Sequence, residues 1–246
     1  TAAQLYRKAR SISENIKTSW RTAFCELDIT PDLSDRLELQ GYFGPSRIAD
    51  EILSPLKIQI LMCEDGFGKR VLFVTADIFG FGPEMVQVIR NYASIWGIAP
   101  EAVVLNASHT HYGPGTISHT VAGLGRFEHV YANRVCTAIA GALPVLYQDL
   151  QPSELAYTQA NAQIGFNRRA AHEGQIRMMP NPEAHYERAT PVLMVNREDG
   201  RRLIMVNHGC HPTGLGAQAV ICADYPGVMR DTLVAAGTAD IAMFFQ

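Results

Sequence analysis

The sequence predicts an α/β protein, a layered mixed β-sheet flanked by helices. Three observations lead there. Short runs of strand character recur at residues 56–62, 70–76, 102–107, 191–196, 202–208 and 241–245. Two longer segments, 83–96 and 129–143, carry apolar residues at helical spacing and alternate with those runs. An Asp65-Gly66 turn joins two adjacent runs as a hairpin, so the sheet is mixed rather than purely parallel.

Taken in order, Leu5, Ala9, Ile12, Ile16 and Trp20 recur at helical spacing with polar residues between. That predicts an appended amphipathic helix over residues 1–21, ahead of an α/β domain over 22–246. Residues 23–31 alternate and break at Pro31. The 56–62 and 70–76 runs follow, the second with the near-continuous apolar character of a strand buried on both faces. Pro83 opens a helix through Trp96, with Met85, Val86, Val88, Ile89 and Ile95 as apolar positions. A second helix runs from His129 to Leu143, with Val130, Val135, Ile139 and Leu143 along one stripe, and Pro144 should end or kink it. Residues 155–162 read as a further strand, and 169–188 as a relaxed loop. Asp224 and Pro226 mark a helix start before 227–236.

At 246 residues, 47% hydrophobic and 18% charged, the chain can bury one large core. A net charge of -3 lacks the concentrated basic face that nucleic acid requires, and Arg7-Lys8-Ala9-Arg10 is too short to supply one. The longest apolar stretches, 71–81 and 190–195, fall short of the roughly 20 residues that span a bilayer, so no transmembrane segment is expected. Five cysteines, odd in number and without a C-x-x-C pair, argue against a disulfide framework or an all-cysteine zinc site and read as buried free thiols. No G-x-x-x-x-G-K-[ST] or G-x-G-x-x-G loop offers itself to a phosphate. The chain starts at Thr1 rather than Met, so the lack of a signal peptide leaves its compartment unmarked.

Two histidine motifs carry the chemistry. In Asn106-Ala-Ser-His109-Thr-His111-Tyr-Gly-Pro-Gly115, residues i and i+2 of an extended segment address one side at the end of an apolar strand. Such a strand-end crevice is where open α/β sheets bind ligands, and neutral imidazole is a common zinc ligand. Partly buried histidines bonded to backbone carbonyls would give the same pattern. In Met205-Val-Asn-His208-Gly-Cys210-His211-Pro-Thr213, Pro212 holds His211 extended and Gly209 lets the chain turn. His208, Cys210 and His211 are too close in sequence to converge easily on one ion. One ligand from each strand end is the preferred arrangement, with His208 and Cys210 structural.

Together these motifs resemble the neutral/alkaline, non-lysosomal ceramidase family. The resemblance rests on H-T-H-x-G-P-G after a strand, C-H-P-T after a later one, and the A-x-x-x-x-D-I-T-P opening at Ala23 to Pro31. Gly41-Tyr42, Ser54-Pro55-Leu56, Phe166-Asn167-Arg168 and Ala223-Asp224-Tyr225-Pro226-Gly227 fall in the family's order, so it covers residues 22–246. It implies zinc as cofactor, with His109 and His211 as ligands, His111 beside the scissile amide and Arg168 lining the substrate site. It also implies a glutamate and a tyrosine ligand, and a G-D-x-[ST]-P loop, downstream of the final strand. Residues 1–246 do not supply them, so a companion C-terminal segment is expected to complete the site. The 246-residue chain alone is then expected to hold zinc poorly and show little amidase activity. Within the chain, Glu26 and the better-placed Asp77 are the substitute carboxylates to test, although Asp77 reads more readily as a cap on the loop into the Pro83 helix.

The implied function is metal-dependent hydrolysis of a linear amide, by metal-activated water, on a small-molecule or lipid-like N-acyl substrate such as a sphingolipid. The resemblance leans toward a secreted or periplasmic protein, while the cysteine pattern equally allows a cytoplasmic one. The alternative is a non-catalytic ligand-binding or interaction domain that keeps the scaffold without a complete zinc site.

Overall fold

A computed structural model describes residues 19–118 and 123–246. Most of residues 1–21, the expected appended helix, lies outside the described residues, and Trp20 and Arg21 belong to the first strand instead. Residues with alternating environments build the sheet from its centre. In β3 (Lys57–Glu64), Ile58, Ile60 and Met62 face one hydrophobic cluster while Leu61 and Cys63 face another, as the two-residue side-chain period requires. β3 pairs antiparallel with β1 (Trp20–Asp28) and with β4 (Arg70–Ala76), and β4 pairs parallel with β5 (Val103–Ala107). The other half of the sheet holds β6 (Gln151–Asn161), β9 (Ala189–Arg197), β10 (Arg202–Asn207) and β12 (Ile241–Phe245). The eight strands run β12-β10-β9-β6-β1-β3-β4-β5, with β10 and β12 as the second parallel pair. A short two-stranded sheet joins β2 (Glu51–Ile52) to β11 (Val220–Ile221).

Helices α1 (Pro83–Ile95) and α2 (His129–Gln148) bury Met85, Ile89, Val135, Ile139 and Leu143 against the first cluster. On the opposite face the sheet folds over, so that β12 lies against β1, β3 and β4. Phe24, Leu61, Val195, Leu203, Met205 and Met243 fill the space between the two halves. Polar bonds fix the closure. Thr75 Oγ1 and Asn106 Nδ2 donate to the Phe244 carbonyl at 2.6 and 3.2 Å, tying the ends of β4 and β5 to the end of β12. The two parallel pairs therefore finish side by side, and the chain leaving each carries one of the histidine motifs.

The layered α/β fold with a mixed sheet is as the sequence indicates; several details differ. Pro144 lies inside α2, which continues to Gln148. A proline costs its own backbone bond, yet Leu143 and Leu146 on either side are buried and hold the last turn on the core. Residues 169–188 are not a relaxed loop throughout. They contain most of a hairpin, β7 (Asn167–His172) and β8 (Gln175–Asn181), whose Glu173-Gly174 turn has φ of 50° and 76°, the two positive angles that a tight hairpin turn demands.

Asp77 serves neither of its expected roles. It is fully buried at the end of β4, where Arg230 of α3 (Asp224–Ala235) grips both carboxylate oxygens, one at 2.9 Å, and the Lys57 amide donates to Oδ2 at 2.9 Å. Its lone pairs are committed to anchoring α3, and Gly82 caps α1 without a side-chain bond. Glu26 is likewise occupied, by Lys57 at 2.8 Å and Gln59 at 3.0 Å. Removing Arg230 would strand a buried carboxylate. Arg230→Met is expected to lower the unfolding free energy by about 3–5 kcal/mol. Arg177→Met, which breaks an exposed pair with Glu173, should change it by less than about 1 kcal/mol. Urea unfolding of the two variants checks this, and equal losses would contradict the anchor.

Candidate metal centre

His109 and His111 owe their orientation to the turn that follows β5. The Ser108 and His109 amides donate back to Ala76 and Ile78, folding the segment over the end of β4. His109 then adopts φ 64°, a left-handed conformation few non-glycine residues take, and it is one that concentrates at functional sites. Its Nδ1 lies 2.6 Å from the Phe79 carbonyl, and its ring stacks on Phe79 with centroids 4.4 Å apart. Because a carbonyl only accepts, Nδ1 carries the proton and Nε2 keeps a lone pair. His111 sits edge-on to both Tyr42 and Phe79, at 4.8 and 5.0 Å. Gly41 closes the space behind it. A Cβ there would stand 2.6 Å from His111 Cγ and Nδ1, and φ at Gly41 is 116°.

His211 arrives from the other half of the sheet. The His208 amide donates to the Phe245 carbonyl at the end of β12, and the chain then turns through Gly209 and Cys210. Asp224, itself at φ 56°, accepts from the Gly214 amide at 2.8 Å and so holds the loop after His211. The Tyr225 hydroxyl donates to the Cys210 carbonyl at 2.5 Å.

The three rings meet. His109 and His111 centroids are 5.2 Å apart, and each lies 4.7 Å from that of His211. One donor atom from each falls within 4.8 Å of the others. His111 Nε2 and His211 Nε2 are 2.7 Å apart, a hydrogen bond in which one must donate. His111 Nδ1 is buried without a partner. An unpaired buried N–H is rarer than an unpaired lone pair, so the His111 proton belongs on Nε2 and points at His211. His109 Nε2 thus presents a free lone pair, while the lone pair of His211 Nε2 accepts from His111 Nε2–H. Burial, then the His211, His109, Arg47 and Arg168 neighbours, push the His111 pKa down to about 3; burial, His109 and Arg168 push His211 down to about 4. Imidazoles that stay neutral at pH 7 are the form that binds metals, and Nδ1 of His109 tied to a carbonyl is the usual outer support of such a ligand. The three imidazoles could together hold a metal ion.

Beside His211 an open cleft of about 1150 Å³ runs between α3 and the β7–β8 side, with Ile164, Phe166, Val228 and Phe244 among its apolar walls. Arg168 is exposed on β7 and lines this cleft, near enough for its charge to be felt at His111 and His211. Among the described residues it forms no ion pair. His208 is kept out of the cluster: it is buried and shares a hydrogen bond with Thr190 Oγ1 at 3.0 Å. Cys210 lines the cleft with its thiol pKa raised by burial, away from the reactive thiolate form. No individual signal in the residues marked Phe79, Tyr42, Arg47 or Asp224 as neighbours of the histidines. Only Gly41-Tyr42 and Asp224 lay within motifs already noted.

No protein-family model and no curated protein matches the chain. Among solved structures, neutral ceramidase from Pseudomonas aeruginosa superposes on 93% of this chain with a TM-score of 0.76 at 19% sequence identity. A ceramidase complexed with C2 superposes on 93% of it with a TM-score of 0.73 at 20% identity. The chain covers 38% and 37% of those two proteins, well under half of either. At such identities the likeness is one of fold.

The low histidine pKa values have a consequence for stability. In the unfolded chain His111 and His211 take up protons near the ordinary 6.5, whereas folded they do so only near 3 and 4. The unfolded state therefore binds more protons in that window, and their contribution, full above about pH 6.5, is lost as pH falls toward those lower values. Urea midpoints of the metal-free protein, followed from neutral to about pH 4, should decline. The decline should be shallower in His111→Phe. Identical slopes in the two proteins would contradict the assigned environment.

Proposed function

We propose that this chain carries the histidine-bearing part of a zinc-dependent hydrolase that cleaves an N-acyl amide bond, ceramidase-like in its chemistry. His109 and His211 are the metal ligands, His111 the catalytic neighbour and Arg168 a substrate-binding residue. The observation that carries this is the meeting of ring nitrogens of His109, His111 and His211, from two separate strand ends, beside an apolar cleft. Bound zinc supplies Lewis-acid polarisation of the amide carbonyl and an activated water. The chain's own residues do the rest. His109 is held in its ligating tautomer by Phe79, and His211 by the loop that Asp224 anchors. His111 offers its Nε2–H as a hydrogen bond to the carbonyl oxygen as charge builds there, or, in its other tautomer, takes the attacking water's proton at Nε2 and passes it to the departing amine.

Arg168 at the cleft supplies a forked cation for a polar or anionic group on the substrate. The apolar walls beside it suit the acyl chain or other hydrocarbon of a lipid-like substrate. Catalytic zinc ordinarily has three protein ligands and a water, so two histidines require at least one donor more. A companion segment that brings it to the open side of the three rings is part of the proposal.

Metal analysis and kinetics on the full-length protein test these roles together. His109→Ala and His211→Ala should lose the metal. His111→Ala should keep it near the wild-type level while amide turnover falls about 10²–10⁴-fold. Metal lost from His111→Ala but kept in His211→Ala would mean that ligand and catalytic neighbour are exchanged.

A further inference from the structure

We propose that Arg47 is a positioning residue for the metal centre: its guanidinium sets the spacing of the two histidine loops and thereby the metal's affinity and ligand geometry. This rests on the metal-centre reading above and adds a residue that touches none of the reacting groups. Arg47 is only 8% exposed. Its Nη2 donates to the His111 carbonyl at 2.9 Å and to the Gln40 carbonyl at 3.1 Å, and its Nη1 donates to the Gln218 carbonyl at 3.0 Å. Three chain segments are fixed by one side chain. The first is the stretch beside Gly41 that backs the His111 ring, the second is the His111 loop, and the third lies seven residues beyond His211.

The same guanidinium lies over the Tyr42 ring, 4.8 Å from its centroid, and Tyr42 in turn meets the edge of His111. The Tyr42 and Tyr112 hydroxyls are 3.2 Å apart, and Tyr112 Oη accepts from the Leu215 amide at 2.9 Å, four residues after His211. A second path thus joins the two loops, starting from the same arginine. Arg47 has no carboxylate within ion-pair distance among the described residues. A buried cation without a counter-charge is a poor source of stability. What the guanidinium supplies is a rigid planar fork whose donors fix the separation of three carbonyls, which a lysine, with one flexible ammonium, does not reproduce. Outer groups of this kind govern how ligands are presented to a metal.

Cobalt(II) is the probe, since its binding and ligand-field absorption report affinity and geometry without turnover. In the full-length protein, Arg47→Met should weaken Co(II) binding, measured by chelator competition, about 10–100-fold and displace the ligand-field bands. Arg47→Lys should recover the fold but only part of the affinity, and it carries the measurement if Arg47→Met does not fold. Arg197→Met is the control for general destabilisation, because Arg197 is buried and pairs with Asp149 and Asp199 on another part of the sheet. It should lower the unfolding midpoint and leave Co(II) affinity and spectrum as in wild type. Unaltered affinity and bands in both Arg47 variants would overturn the role of Arg47, as would equal weakening in Arg197→Met. Wild-type protein that binds no Co(II) would overturn the metal-centre reading itself, and this inference with it.

Discussion

The carbonyl of Phe244 accepts hydrogen bonds from Thr75 and Asn106, and on that small contact the geometry of the site depends. Phe244 sits on β12 at one edge of the sheet, while Thr75 and Asn106 sit on β4 and β5 at the other. An eight-stranded sheet brings such edges together only by folding over, and the apolar residues between its halves supply the driving force. Hydrophobic burial does not specify register. Directional bonds do, because each buried donor needs its partner at one place. Once the ends of the two parallel pairs are fixed side by side, the loops leaving β5 and β10 have to meet.

The meeting has an electrostatic cost. Burial, and then the neighbouring imidazoles, disfavour the protonation of His111 and His211. Two non-glycine residues with positive φ serve these loops, His109 within the first and Asp224, at the start of α3, anchoring the second. Each such angle stores about 1–3 kcal/mol, retained because the surrounding bonds over-determine the backbone. Asp77 and Arg230 contribute on the far side of α3, keeping the helix that presents Asp224 pinned to the end of β4. Structure and site are thus coupled through α3: the same helix carries the buried ion pair at one turn and the His211 anchor at another.

Much of this was legible in the residues. Apolar runs and helical spacing gave the α/β architecture, and the H-x-H and C-H-P-T motifs lay at strand ends where a ligand site forms. What the residues could not convey was tertiary. Arg47 stands in Pro45-Ser46-Arg47-Ile48, an unremarkable loop sequence, and its partners are carbonyls, which every residue has. Asp77 looked available because its commitment to Arg230, 153 residues away, leaves no local trace. The β7–β8 hairpin was missed because a Glu-Gly turn is a weak signal and both strands are exposed, so neither shows the alternation that burial imposes. Pro144 misled for the opposite reason, since its local effect was clear and packing on both sides overrode it.

Anomalous diffraction at the zinc edge, from crystals of the full-length zinc-loaded protein, tests the central claim most directly. The account predicts one strong peak at zinc-nitrogen bonding distance, about 2.0–2.1 Å, from His109 Nε2 and His211 Nε2. His111 Nε2 should stand outside that distance. A peak bonded to His111 in place of His211, or lying away from all three histidines, would contradict it.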